Sequence, residues 1–449
     1  MKQTATHLLG LSILCASSAL CAASTDVTAV LETRGHFDDA AGLNTDVDDP
    51  AIWIHPTDKT QSIVAATLKE GGMDVYNLNG KLLQHIAADA APTCAEKQLN
   101  CAGNNPGRFN NADIIYNFKL GSKLIDLVIV SDRGLDQVIV YRVNHDDNAI
   151  APLTNITADN QAFIFSADQD EVNEEYTAYG LATAQTDKAY AYVSQNSTPR
   201  VAQLELYDNG QGQVAYRAIQ TLDFPVSFPL PNGEQWIPCS EDDLGKPQFE
   251  GMVADIEHNS LYLAQENVGI WRASLSKPED RNQWQLFVKV RDYGTPYTRS
   301  WDKTEDEYSC ALDHTNDPGF GNQELYADVE GLTLYQAGDG KGYLLVSSQG
   351  NNTVALYDRE NNNQYIGSFT VVDGAIDGVN ETDGMMVVNA DLGGKFKQGL
   401  LVMQDGENAS KVFDSEGEYR EGSNFKYISW ADVAKSLKLK TDTADRSRD

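Results

Sequence analysis

Six short stretches of the chain place hard oxygen ligands at matching positions. They carry Asp48 and Asp49, then Asn111 and Asp113, Tyr179, Glu250, Asp328 with Glu330, and Asp383. A second matching position carries Lys69, Arg133, Gln195, Glu266, Gln349 and Asp405. Carboxylate and amide oxygens suit a hard cation such as Ca²⁺, which takes six to eight oxygens in flexible geometry. Carboxylates crowded at one place either take up protons or bind cations. The 7 histidines are scattered and show no metal spacing, which argues against zinc or copper. Most of the 66 acidic residues are expected to be solvated surface charges. That explanation is weak for residues that recur at one position of a repeat.

Lys69 and Arg133 stand among these carboxylates. Cations beside a calcium-binding cluster suit a polyanionic phosphate substrate. Bridging calcium ions would lower the pKa of bound water and create a nucleophile. The ions and the two basic side chains would stabilise a transferring phosphoryl group. Covalent catalysis has no support. There is no RHGxRxP, no GxSxG and no Cys-x5-Arg loop; Cys101 to Arg108 has the wrong spacing.

Positioning these residues requires a repeat. Between Leu43 and Gly422 the chain is mostly short β-type runs broken by Gly, Asn and Asp. Six runs end in an aromatic followed by a turn: MDVYNLNG, QVIVYRVN, QLELYDNG, VGIWRASL, TVALYDRE and SKVFDSEG. Their aromatics are Tyr76, Tyr141, Tyr207, Trp271, Tyr357 and Phe413, mostly about 65 residues apart. Each is preceded by two further β runs. Six copies of such a unit predict an all-β, six-bladed β-propeller of four-stranded antiparallel blades, with the fourth strand the least regular. The first strand of each blade would line a central channel, so all six starting residues meet at one mouth. The Trp271-to-Tyr357 interval is the longest and marks an insertion. A short helix is expected over about 430–439.

Composition sets the compartment and excludes partners. The chain has 449 residues, 41% of them hydrophobic, and a net charge of −32. Such a surface repels a nucleic-acid backbone and anionic membranes. Lys2, the apolar stretch Leu8 to Leu20 and small residues at 22–24 read as a signal peptide over 1–23. The remaining residues 24–449 form one propeller domain, soluble, periplasmic or secreted, and monomeric. Cys94, Cys101, Cys239 and Cys310 allow three pairings. Cys94 with Cys101 closes a short loop and leaves Cys239 with Cys310, tying two long loops over one rim.

The segments DDPAIWIHP, LKEGGMDVYNLNGK, NNADI, EGMVADIEHNSLYLAQENVGIWR, DVEGLTLYQAGDGKGYLLVSSQGNNTVALYDR, ETDG and QDGEN are similar to the β-propeller phytases, over roughly 32–430. The resemblance implies a calcium-dependent phytase of the 3-phytase type. Such an enzyme removes phosphate from myo-inositol hexakisphosphate by direct attack of water, without a phosphoenzyme. One phosphate would sit in a cleavage site and its neighbour in an affinity site. Carried over, Glu32, Asp48, Asp49, Asn111, Asp113, Glu250, Glu266, Asp328, Glu330, Gln349, Asp377 and Asp383 match calcium-binding or site-shaping positions. Lys69, Arg133 and Tyr179 match phosphate contacts, and with Glu250, Glu330 and Asp383 they make up the expected catalytic set. The chain departs from the family pattern at Glu70, where a second lysine is common. It departs again at Gln195 or Asn196, where a third-blade lysine is replaced and Arg200 is the nearest cation. The rival readings are a calcium lactonase and a calcium-stabilised binding propeller; the paired Lys and Arg favour phosphate.

Overall fold

In the computed structural model the described residues are 24–37, 46–145, 151–241, 244–303, 307–409, 412–413, 420, 422–445 and 448. The signal-peptide reading at 1–23 lies outside them. Six antiparallel sheets of four strands surround a channel, one per blade. Their inner strands are Pro50–Trp53, Phe109–Leu120, Ala178–Gln185, Phe249–Asp255, Leu332–Gln336 and Met385–Val388. From these β-branched and aliphatic runs the first five blades pair outward in chain order as meanders.

The core lies between the blades. Leu127 of the second blade packs with Val193 of the third, and Val64 of the first with Val402 of the sixth, all fully buried. A second device ties the blades beneath the mouth. Buried hydroxyls near the ends of second strands donate to a carbonyl of the next blade. Thr67 reaches Asn110, Ser131 reaches Tyr179, Ser194 reaches Phe249, and Ser347 reaches Thr382. Each satisfies a carbonyl that would otherwise be buried without a partner.

The sixth blade corrects the repeat reading. SKVFDSEG is not its third strand. That strand is Asn424–Ser429, which pairs with Leu400–Asp405, and its buried aromatics are Phe425 and Tyr427, whereas Phe413 is exposed. The fourth strand comes from the other end of the chain: Leu31–Glu32 pairs with Asn424–Ser429 and closes the ring. Just before it, Thr25–Val27 adds a parallel fifth strand to the fifth blade. The C-terminal helix, Trp430–Leu437, buries Trp430 and Val433 against these last two blades.

The two long connections flanking the fourth blade each form a hairpin, Phe228–Pro229 with Gln235–Trp236 and Tyr297–Asp302 with Glu307–Leu312. Disulfides join Cys94 to Cys101 and Cys239 to Cys310, so the second bond links the two insertions. Both connections run from an outer strand to the next inner strand. They therefore stand on the mouth where inner strands begin. Among the described residues no helix is long and apolar enough to cross a membrane.

Candidate active site

One residue per blade builds the mouth. Hydrogen bonds to the second strands align Asp49, Asn111, Gly180, Gly331 and Gly384 at one register. Thr67 N donates to Asp49 O, Ser347 N to Gly331 O and Gln404 N to Gly384 O. Asn111 N and Gly180 N donate instead to Ser131 and Ser194 hydroxyls. The residue before each is Asp48, Asn110, Tyr179, Glu330 and Asp383, and the fourth blade supplies Glu250 before Gly251. The glycines let the inner strands converge: a Cβ on Gly251 would lie 1.5 Å from Glu330 O, and one on Gly180 2.0 Å from Glu250 O. In the second, third and fourth blades a register shift falls at this position and lifts Asn110, Tyr179 and Glu250 out of the regular ladder.

These side chains form two bonded groups that meet at the mouth, one around Glu250 and one around Asp383. The Asn110 amide donates to Glu250 Oε1 at 2.9 Å and to Asp48 Oδ1 at 3.4 Å. The Tyr179 hydroxyl donates to Glu250 Oε2 at 2.9 Å. Gln349 donates to Glu330 at 2.6 Å and to Asp383 at 3.0 Å. Lys69 Nζ binds Asp46 at 2.8 Å and lies 3.9 Å from Asp383. Carboxylate oxygens of Glu250, Glu266 and Glu330 come within 4.8 Å of one another.

The electrostatics are those of an anionic cage. Burial first, and then neighbouring carboxylates, push Asp48, Glu250 and Glu330 well above the usual carboxylate range. Burial raises Asp383 too, against the pull of Lys69. Burial opposes the Lys69 charge, but Asp383, Asp48 and Asp46 outweigh it and keep the ammonium protonated. One ammonium among so many carboxylates leaves the cage short of positive charge. The donors are oxygens, and among the described residues no histidine or cysteine joins them. Such a set fits calcium.

Arg133 leaves the second strand of the second blade and stacks on the Tyr179 ring, 5.3 Å from its centroid. Asp328 lies beside Glu330 and raises it further. The expected residues gathered at the mouth are therefore Asp48, Lys69, Arg133, Tyr179, Glu250, Glu266, Asp328, Glu330, Gln349 and Asp383.

Others are placed elsewhere. Asp49 accepts from Ala112 N at 3.0 Å and bonds Asn111, so both brace the first two blades against each other. Asp113 accepts from the main-chain N and hydroxyl of Thr183, joining the second blade to the third. Glu32 and Asp377 converge with Asp405 on the buried ammonium of Lys426. Gln195 binds Tyr176 O at 2.7 Å, and Arg200 pairs with Asp223 at 2.9 Å. Residues that sequence reasoning missed are Asn110, Asp46, and Gln404, whose side-chain amide accepts from Asp383 N and donates to the Asp383 carboxylate. The signal for Asn110 was the glycine repeat: setting Asn111 beneath Gly180, Gly251, Gly331 and Gly384 puts Asn110 in the ring.

The fold and site together define a six-bladed propeller with a buried oxygen cage at its mouth and basic side chains beside it. The comparisons refine this. The family model described as Phytase matches residues 1–227 and 310–448. The 3-phytase of Bacillus subtilis (strain 168) is 30% identical over 414 residues, covering 92% of this chain and 85% of that protein. The chain belongs to the phytase family. Solved structures similar to it include a Bacteroides thetaiotaomicron protein of unknown function (11% identity, 90% of this chain and 74% of that one, TM-score 0.44). Another is a luciferin-regenerating enzyme (9% identity, 86% and 92%, TM-score 0.39).

Proposed function

We propose that this protein hydrolyses phosphate monoesters of myo-inositol hexakisphosphate, taken as its calcium complex, by direct attack of water. The observation that carries this reading is the ring of ligand oxygens from Asp48, Asn110, Tyr179, Glu250, Glu330 and Asp383, converging at the mouth with Lys69 and Arg133 at its edge. Asp48, Glu250, Glu330 and Asp383 would hold the ions, with Glu266 and Asp328 beside them. Calcium, when bound there, supplies charge neutralisation and Lewis acidity toward water and phosphoryl oxygens.

The protein's own groups do the rest. The Lys69 ammonium, fixed between Asp46 and Asp383, offers its remaining N–H donors to a phosphoryl oxygen. Arg133 can hold two oxygens of one phosphate through its planar fork. The Tyr179 ring sets the plane on which that guanidinium rests. Asn110 and Gln349 are neutral donors that fix carboxylate orientation without adding negative charge. Charge developing on the transferred phosphoryl group thus meets donors already in place. The two disulfides fit action in an oxidising compartment, outside the cytoplasm.

The test is phosphate release from phytate at neutral pH by purified protein, after chelation and again after calcium is returned. Release that vanishes and comes back supports the reading. No release in calcium, with a calcium-induced rise in melting temperature, would leave a binding propeller or a lactonase.

A further inference from the structure

Arg108 was no part of the expected site, yet it stands at its edge. It begins the second blade's approach to the ring, two residues before Asn110. Its main-chain N donates to Asp132 at 2.8 Å, and its carbonyl accepts from Arg133 N at 2.8 Å. The backbones of Arg108 and Arg133 are thereby clipped together, and their guanidiniums share one neighbourhood. Burial and the Arg133 charge both work against the Arg108 cation, and Asp48, Glu70 and Tyr179 are the further groups it feels.

Neither guanidinium forms a hydrogen bond or ion pair among the described residues. Arg133 only stacks on Tyr179, and Arg108 Nε is buried with no partner. Elsewhere most described arginines bond an oxygen, although Arg281 too only stacks, on Trp284. Arg359 is bidentate to Asp255, Arg448 to Asp126, and Arg217 grips Glu205. Two adjacent cations without bonded anions are unfavourable unless an anion joins them. A guanidinium offers five N–H donors in a rigid fork that matches phosphate.

We propose that Arg108 is a substrate-binding residue that forms, with Arg133, a paired-guanidinium clamp on a phosphate of the substrate. The proposal rests on the phytase reading. It supplies a cation from the second blade where the first has Glu70 and the third has Arg200 occupied by Asp223.

The experiment uses the whole protein in calcium buffer, with Arg108→Ala and Arg108→Lys. Three quantities are read: KM and kcat on inositol hexakisphosphate, calorimetric Kd for the unreactive myo-inositol hexasulfate, and melting temperature. Arg108→Ala is expected to raise KM and the hexasulfate Kd by roughly tenfold or more, with a smaller fall in kcat. Arg108→Lys should recover part of both, and melting should stay within a few degrees. Unchanged hexasulfate binding in Arg108→Ala would overturn the clamp. So would weakened binding that Lys does not recover and that tracks a collapse in melting temperature. If the wild type releases no phosphate, the phytase reading fails by itself, while hexasulfate binding still decides the role of Arg108. A wild type that binds no hexasulfate overturns the proposal.

Discussion

Asn110 and Asn111 are chemically identical neighbours with opposite duties. Asn110 faces the cage and bonds Asp48 and Glu250, whereas Asn111 faces Asp49 and braces the backbone. Strand alternation alone could not separate them, because a bulge decides which one turns inward; only alignment with the glycines of the other blades does. Asn110→Ala is expected to lower kcat/KM at least tenfold, since two buried carboxylates lose a donor; a phosphate-release assay checks it. Arg133→Ala should cost roughly a hundredfold in turnover but only about 2 °C in melting temperature, because its side chain touches the protein through its stacking on Tyr179 and through no ion pair or hydrogen bond among the described residues. Wild-type turnover in that variant would contradict its role. The acidic positions of blades four to six were legible because each stands before a glycine. Glu32 and Asp377 were legible only as acidic residues; that they meet around Lys426 depends on the chain ends coming together. Away from the mouth, buried Asp74 is bonded to Arg34, Tyr76 and His85, with His36 at 3.3 Å. Burial works against its charge, but these partners win and hold the carboxyl well below its usual range. A depressed folded pKa gives stability that is full above the unfolded value of about 3.9 and is lost as pH falls through the folded one. The stability gap between wild type and Asp74→Asn, read by urea melts, should therefore be widest near neutrality and shrink below about pH 4.

The strands explain why the mouth stays in register. Hydroxyls on second strands hold the next blade's inner strand at the height where the ring residues begin. Ser194→Ala removes one such latch and leaves the buried Phe249 carbonyl without its donor. A loss of about 1–3 kcal/mol is expected in denaturant unfolding. Activity should fall with it, because Phe249 directly precedes Glu250. An unchanged unfolding midpoint would show that the latch is redundant. Strand order and five of the six blades could be read from apolar runs ending in an aromatic. The sixth could not, since a long connection separates Asp405 from Asn424 and offers the decoy SKVFDSEG. Phe413 matches the repeat in type but is 52% exposed, whereas Tyr427 is fully buried. Exposure alone does not disqualify an aromatic, since Tyr207 of the third blade is 37% exposed; what decides is that Asn424–Ser429 pairs with the second strand. The closing strand Leu31–Glu32 is two residues long and carries no periodic signal; its place follows from the sheet edge left unpaired at the other terminus.

Both ends of the channel are shaped by parts of the chain remote in sequence. Around the mouth, the carboxylate cage makes the apo protein store like-charge repulsion, on top of a net charge of −32. Calcium that binds the native cage and not the unfolded chain should raise the melting temperature. At a hundredfold excess over Kd the gain is about 2.7 kcal/mol for one site, and a thermal scan with chelator against calcium reads it. At the opposite end lies a cavity of about 470 Å³, lined by Ile54, Asp113, Thr183, Glu257, Asn389 and Arg448. The chain past the C-terminal helix crosses this face. Asp442 binds Tyr335 and Gly338 of the fifth blade, Ala444 O accepts from Asn389 of the sixth, and Asp445 pairs with Lys59 of the first. Arg448 then reaches Asp126 of the second blade and Ile54 O of the first. One strap thus links four blades, two on each side of the closure made by Leu31–Glu32. Removing residues 440–449 would leave Asp126 buried with the Trp53 indole N–H and the Asn117 main-chain N–H as its remaining donors. The deletion is expected to lower the melting temperature by roughly 5 °C or more. The strap and the carboxylate ring are at opposite ends of the channel, so phosphate release at low temperature should persist. A deletion that abolished turnover while leaving melting unchanged would show that the far face contributes to the site itself rather than to closure of the ring.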